Sequence, residues 1–425
     1  MIFVGVAFLL PIWILSFLLN KKINDKFNPT SIIVYIWSFL LLLSICFGKS
    51  TGLYPMNGGG IFAFCFFLFL VVSFSYLFTF NIERKNSKSI NLENLPDLFK
   101  LCIVLFMLCL ISRLLYFKDL NNLIPLNSLF ENIWLWKNYV LSGKINESSL
   151  KYLGYNLNVT GALLSLCFYQ QKELGYTKKR NIILVMIFLY LILSFLNVRR
   201  DPMIIKLVYL LYPIIIYNKH NFKKIMRYIL PVIIVFFTLL IVINIKLSFK
   251  TLNVSRSIAS YSYGAFNSLQ KAYDMGYPSN TNLPLANTFY FIYMFLKYIS
   301  GKFAPPTIVL NSMGLDTTNV YTSLIAPLID SAGSKAMFYF ILFFYSLFIA
   351  LVNMIVYRWY VKKGSLASLL MFCTVVSCSI RSFYNPVYSY SDLIFGLLYA
   401  AVFGFVLKNK AYSSKMKKIP EKHNE

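Results

Sequence analysis

"IFVGVAFLLPIWILSFLLNKKINDK", residues Ile2 to Lys26, decides the fold class. It runs from Ile2 to Leu19 without a charge and then meets three lysines and an aspartate within seven residues. A stretch of that length, wound as helix at ~1.5 Å per residue, matches the roughly 30 Å hydrocarbon core of a bilayer. No basic region leads it, so an uncleaved span with its N-terminus outside is expected rather than a signal peptide.

The same alternation of apolar run and polar connector fills the chain. Of 425 residues, 58% are hydrophobic and 13% charged, against about 25% charged in an ordinary soluble domain. A net charge of +26 would suggest nucleic acid in a soluble protein. Here most basic residues sit in short connectors, where they set orientation and meet anionic lipid; no nucleic-acid partner is expected. The seven cysteines (Cys46, Cys65, Cys102, Cys109, Cys167, Cys373, Cys378) lie in apolar runs, which implies no disulfide framework. Cys373 and Cys378 have no histidine or acidic neighbour to complete a metal site, so they read as small buried hydrophobes.

Eleven spans are expected, at 2–19, 29–47, 61–81, 98–116, 153–170, 181–197, 203–217, 228–246, 334–357, 364–383 and 392–407. The connectors "KKINDK", "IERKNSK", "QKELGYTKKR", "YNKHNFKKIMR" and "YRWYVKK" and the tail "KNKAYSSKMKK" are basic, while those between them carry little. The positive-inside rule puts the basic set in the cytoplasm. The expected fold is therefore all-α: a polytopic integral membrane protein, N-terminus outside and C-terminus inside. It forms one transmembrane domain over 1–425, with a first long extracytoplasmic loop at 117–152 and a larger one at 247–333. A basic cytoplasmic tail occupies 408–425. Within the large loop, "LANTFYFIYMFLKYIS" (285–300) is short for a span and fits an interfacial or re-entrant helix.

Sidedness sorts the chemistry. Both histidines, His220 and His423, fall on the cytoplasmic side, so neither serves an outer-face reaction. The outer carboxylates Asp119, Glu131, Glu147, Asp201, Asp274, Asp316, Asp330 and Asp392 are too scattered to suggest a metal cage, and no metal or other cofactor is expected. More telling are the outer cations. "NVRRDPMII" carries Arg199 and Arg200 at a span exit, "TLNVSRSIASYSYGAF" carries Arg256, and "SCSIRSFYNP" carries Arg381 at another exit. The orientation rule gives no reason for arginine on that face. A guanidinium fork suits phosphate oxygens, so these groups could hold a pyrophosphate above a lipid chain. The plainer reading is that they snorkel to headgroups or pair with carboxylates. "NIWLWKNYV", "SYSYGAF" and "RSFYNPVYSYSD" offer rings for sugar stacking, although an aromatic belt looks the same in sequence. No Walker-type phosphate loop is present, so an outer reaction would use a substrate already activated.

The layout resembles the oligosaccharide repeat-unit polymerases, the Wzy-type O-antigen and capsule polymerases of bacteria. The local matches are "LNVRRDPMI", "SYSYGAFNSLQ" and "TTNVYTSLIAPLIDSAG", whose last part holds an Asn-Val-Tyr-Thr segment (Asn319–Thr322) and an Asp-x-x-Gly (Asp330–Gly333). The chain departs from the commoner Asp-Phe-Gly by having Asp330-Ser331-Ala332, and Asp330 reads equally as a cap for the ninth span. The resemblance implies a glycosyltransferase in the bacterial cytoplasmic membrane, its active site facing outward. It would pass a growing glycan from undecaprenyl pyrophosphate onto a new lipid-linked repeat unit, with membrane lipids, a chain-length regulator and a flippase as partners. Arg199, Arg256 and Asp330 are the catalytic candidates. Arg200, Arg381, Lys250, Tyr263, Asn319 and Tyr321 are the candidates for binding pyrophosphate and sugar. As the base for the acceptor hydroxyl, Asp201, Asp274 and Asp330 stand open, as does the absence of any base.

Two other readings stand beside it. An O-antigen ligase would carry an outer-loop histidine, and this chain has none there. A flippase or other transporter would place charges within its spans; the candidates are Lys206 and Arg113. A structural assembly partner for polysaccharide enzymes is a further possibility, against which the two long outer loops argue mildly.

Overall fold

The computed structural model describes residues 1–79, 97–122, 151–195, 200–217, 227, 230, 234, 259, 262–276, 283–300, 322–383, 388 and 393–404. Among the described residues the regular structure is helical, with no strand. The helices are α1 (Ile2–Ile23), α2 (Pro29–Phe47), α3 (Gly58–Leu77), α4 (Leu98–Asn121), α5 (Lys151–Glu173), α6 (Thr177–Phe195) and α7 (Arg200–Tyr217). They continue with α8 (Gly264–Met275), α9 (Tyr290–Ser300), α10 (Ile325–Asp330), α11 (Lys335–Lys363) and α12 (Leu366–Arg381), then α13 (Leu393–Gly404). Five of them (α1, α2, α3, α4 and α11) are long and apolar enough to cross a membrane. The expected span at 228–246 lies outside the described residues apart from two isolated positions.

Helix boundaries follow local chemistry. Asn28 caps α2 by accepting from the Ser31 N–H at 3.0 Å, with Pro29 in the first turn. Asn57 caps α3 the same way at Gly60 N, 3.1 Å. α1 ends on Asn24 in the left-handed region (φ 54°), with Lys21 and Lys22 beside its last carbonyls.

The chain divides into two compact units. The first comprises Met1–Ser87, Thr251–Lys362 and Val375–Phe395; the second comprises Lys88–Lys250, Lys363–Thr374 and Gly396–Glu425. In the first, α1, α2 and α3 pack together, and α8 inserts against α2, α3 and α10. Polar side chains join α1 to α2, through Trp13 to Ser38 (3.0 Å) and Asn20 to Tyr35 (2.8 Å), and α2 to α3 through Thr30 and Ser75 (2.8 Å). One end of this unit brings together "KKINDK" and "YRWYVKK", where Tyr357 Oη donates to Asp25 at 3.2 Å. In the second unit α5 packs on α4, α6 and α7. Its start is fixed by Asp97, which accepts from Phe99 N and Gln171 and pairs with Lys179 at 3.2 Å.

The short helices of the large loop are not all interfacial. α8 is buried along Gly264, Ala265, Phe266, Asn267, Leu269, Gln270 and Ala272. α10 is buried from Ile325 to Ile329. Phe266 is the reason for α8: its ring faces Trp37 at 5.4 Å and Phe64 at 4.8 Å, inside the bundle rather than on a lipid surface. α9, within the 285–300 stretch, has eleven residues, a rise of about 16 Å that cannot cross a bilayer. Phe289 and Phe291, at its start, meet Phe348 of α11, while Ile292, Phe295 and Ile299 line an exposed stripe.

Candidate functional site

The centre of the first unit is organised by Trp37. The residue is fully buried near the middle of α2. Its ring packs on Phe64, Phe67 and Phe266. Its indole N–H donates to Ser382 Oγ at 2.8 Å. Ser382 in turn receives Ser323: the backbone N–H and the hydroxyl of Ser323 both donate to the Ser382 carbonyl, at 2.8 and 2.7 Å. Thus the end of α12, the start of the "TSLIAPLID" segment and α8 converge on one tryptophan.

Arg381 closes α12 at that junction and is 2% exposed. α12 has sixteen residues, a rise of about 24 Å, less than the roughly 30 Å hydrocarbon core. Its last residue adjoins Ser382, which is bonded to Trp37 in the middle of α2. At its end Ser382 Oγ donates to the Ser379 carbonyl at 2.8 Å, and Ser323 satisfies the Ser382 carbonyl. A chain of hydroxyls continues beside it. Tyr388 Oη donates to Asn353 Oδ1 at 2.8 Å and lies 2.9 Å from Ser379 Oγ. Thr322 Oγ1 and Asn353 Nδ2 are buried with no hydrogen-bond partner among the described residues.

Asp330 stands at the other side of the same segment, on the last position of α10. Oδ1 accepts from Asn287 N (3.2 Å) and Nδ2 (2.7 Å); Oδ2 accepts from Thr288 N (2.7 Å) and Oγ1 (2.6 Å). Four donors occupy the carboxylate, which ties residues 287–288 to the turn before α11. The cap of α11 that sequence suggested for Asp330 comes from Ser334 instead, whose Oγ accepts from Met337 N at 3.3 Å. The turn between them uses two left-handed residues, Ala332 (φ 51°) and Gly333 (φ 84°).

Asp274 anchors the C-terminal end of α8. It accepts from Tyr54 Oη at 3.1 Å, from Asn57 Nδ2 at 2.9 Å and from Gln270 Nε2 at 3.0 Å. The hydrogen bond to that carboxylate, with its negative charge, pushes the Tyr54 phenol above its ordinary range. Asn267 receives Ser44 Oγ at 2.7 Å and donates to the Tyr54 carbonyl at 2.7 Å. α8 approaches this closely because Gly48 and Gly60 face it: a β-carbon on Gly60 would overlap the Gln270 amide. Tyr263 precedes α8, buried, with its hydroxyl 3.4 Å from Thr51 Oγ1.

Of the predicted site residues, the structure gathers Tyr263, Asp330 and Arg381 in the first unit. Arg200 and Asp201 open α7 in the second unit, and their side chains are outside the described residues. Arg199, Lys250, Arg256, Asn319 and Tyr321 also lie outside them. Sequence reasoning missed Trp37, although a tryptophan mid-span rather than at a span end was a usable signal. It also passed over Asn267, Gln270, Ser323 and Ser382, whose small polar side chains carry no signature by themselves. No group of histidine, cysteine or acidic residues that could hold a metal occurs among the described residues. No protein-family model, curated protein or solved structure matches the chain.

Proposed function

We propose that this chain polymerises undecaprenyl-pyrophosphate-linked oligosaccharide units at the outer face of a bacterial cytoplasmic membrane, through eleven spans with the N-terminus outside and the C-terminus inside. The observation that supports the reading is the enclosed Arg381 at the end of a short helix, where segments read as outer connectors fold into the bundle. An arginine buried inside an apolar bundle is costly to keep, which supports a functional reading of it. The bond that breaks joins the anomeric carbon of the growing glycan to the pyrophosphate, and the bond that forms joins that carbon to an acceptor hydroxyl. Negative charge gathers on the departing pyrophosphate, and a fixed guanidinium there lowers the barrier. Asp330, saturated by four donors, holds the loop; the acceptor proton then leaves by another carboxylate or to solvent once the leaving group has gone.

The test is complementation of a gene disruption in the native host with Arg381→Ala and Arg381→Lys, reading the surface glycan as a ladder. The expected result is collapse to single repeat units at normal expression, a loss of about 10²–10³ in rate, in keeping with removal of one charge-stabilising donor. Ladders of normal length from both variants would overturn the assignment. Arg199→Ala and Arg256→Ala, read the same way, test the remaining catalytic expectations. The flippase reading gains from Lys206, a buried cation within α7; build-up of single units on the cytoplasmic leaflet would favour it over polymerisation.

A further inference from the structure

Cations gather in the first unit where the end of α1 meets α11. Lys21 and Lys22 close the last turn of α1, and Lys26 follows on its connector. Arg358 and Lys362 stand a turn apart near the end of α11 and so share one face of it. One contact ties the two groups together: Tyr357, next to Arg358, donates to the carboxylate of Asp25, next to Lys26, at 3.2 Å. Another brings in the end of α3, where the Lys22 ammonium lies 4.3 Å from the centre of the Tyr76 ring. Lys21, Lys26 and Lys362 are exposed, and Arg358 is half-buried. The carboxylates among the described residues of this unit are Asp25, Asp274 and Asp330. Asp274 is bonded to Asn57 at the start of α3, and Asp330 precedes the start of α11, so both belong to the opposite ends of those helices. Of the three, Asp25 alone stands among these cations, and it also accepts from the Phe27 N–H at 2.8 Å.

Helix length fixes the depth of the cluster. α1 and α11 are both long and apolar enough to cross a membrane. α11 is uncharged from Ala336 to Tyr357, a rise of about 33 Å, which covers the hydrocarbon core and leaves Arg358 and Lys362 among the headgroups. Trp359, exposed between them, is the amphipathic ring that suits such an interface. Any basic connector draws anionic lipid diffusely. Here the two helix ends are tied by a buried tyrosine and one lysine is held over a ring, so the cations keep a fixed spacing. Groups ordered in advance lose less freedom when they bind. A guanidinium fork takes two oxygens of one phosphate, and the nearby ammoniums add point charges.

We propose that the ends of α1 and α11 form a specific site for the headgroup of an anionic phospholipid, with Arg358 and Lys26 on its phosphate and Lys21 and Lys362 adding charge. The site stands whether the chain polymerises or transports.

The experiment uses the purified full-length protein in a neutral detergent at fixed ionic strength. It follows the melting temperature as phosphatidylglycerol, phosphatidylcholine with the same acyl chains, or inorganic phosphate is added. Phosphatidylglycerol is expected to raise the Tm of the wild type in a saturable way, and the pair Lys26→Gln with Arg358→Gln should lose at least half of that shift. Lys172→Gln with Lys178→Gln removes the same charge from exposed positions of the second unit and should keep the full shift. Tyr357→Phe leaves every cation in place but unties the two helix ends, and should need several-fold more lipid to reach half of its shift. Phosphatidylcholine should shift none of them, since its headgroup is neutral overall. Lys21→Gln with Lys362→Gln, both at exposed positions, should lose part of the shift and keeps the test decisive should the first pair misfold. No shift in the wild type, no loss in either pair at the site, or an equal loss in the second-unit pair would overturn the site. An unchanged half-point in Tyr357→Phe would overturn the fixed spacing, and an equal shift from inorganic phosphate would make a free anion the occupant in place of a lipid.

Discussion

Single residues here do their work through hydrogen bonds made far from their neighbours in sequence. Asp330 is the clearest case: Asp330→Asn would present two donors to the two already arriving at Oδ2 and leave Thr288 unsatisfied. A loss of about 1–3 kcal/mol is expected, read as a lowered Tm. Should Asp330→Asn instead keep its Tm and lose glycan polymerisation, the carboxylate would be a base and not an anchor. Trp37→Phe keeps the aromatic packing and removes only the N–H to Ser382, costing about 1 kcal/mol. Trp37→Ala also empties the space between α3 and α8, at about 3–5 kcal/mol. Asp97 gives a pH signature. Partial burial raises its carboxyl, but the Phe99 N–H, Lys179 and Gln171 together outweigh this and hold it below its ordinary value. Its contribution is therefore present above the ordinary carboxylate range and is lost as pH falls through the lowered value. Asp97→Asn should flatten that acid-side decline in Tm while costing at most about 1 kcal/mol near neutrality, because the pair with Lys179 is half exposed.

At the scale of elements, close approach is set by glycine. A β-carbon on Gly404 of α13 would overlap the Cα and β-carbon of Ala367 on α12, and backbone cannot rotate away. Gly404→Ala is expected to part the two helices and destabilise by about 1–3 kcal/mol, and Ala367→Gly in the same chain should recover only a small part of the loss, because the Ala367 Cα and N still lie 2.5 and 2.9 Å from the added carbon. Measuring both variants by thermal unfolding separates overpacking from helix propensity, which alone favours alanine. Gly60→Ala meets a softer partner, the Gln270 side chain, and its cost reports how firmly Asn57 and Asp274 hold that amide.

For the whole molecule the open quantity is orientation, which the positive-inside pattern predicts. Ser50→Cys, on the exposed connector after α2, should react with an impermeant maleimide in intact cells. Lys26→Cys, exposed on the connector after α1, should react only after permeabilisation. The opposite pattern would invert the topology and remove the outer-face argument for every arginine. Of the native cysteines, Cys46 is exposed and the other six are buried, so replacing Cys46 gives a quiet background.

The membrane class, the bounds of α2 and the short helix within 285–300 were legible from sequence, because apolar run length is a local property; the span expected at 61–81 instead runs from Gly58 to Leu77, its start set by the Asn57 cap. What only the tertiary structure decided is burial and partnership: that Arg381 is enclosed, that Asp330 holds Asn287 and Thr288, and that Trp37 gathers α3, α8 and the end of α12. The bond from Trp37 to Ser382 spans 345 residues. Hydropathy and periodicity report only which residues leave water, and nothing in either says which buried polar group will meet which across such a distance.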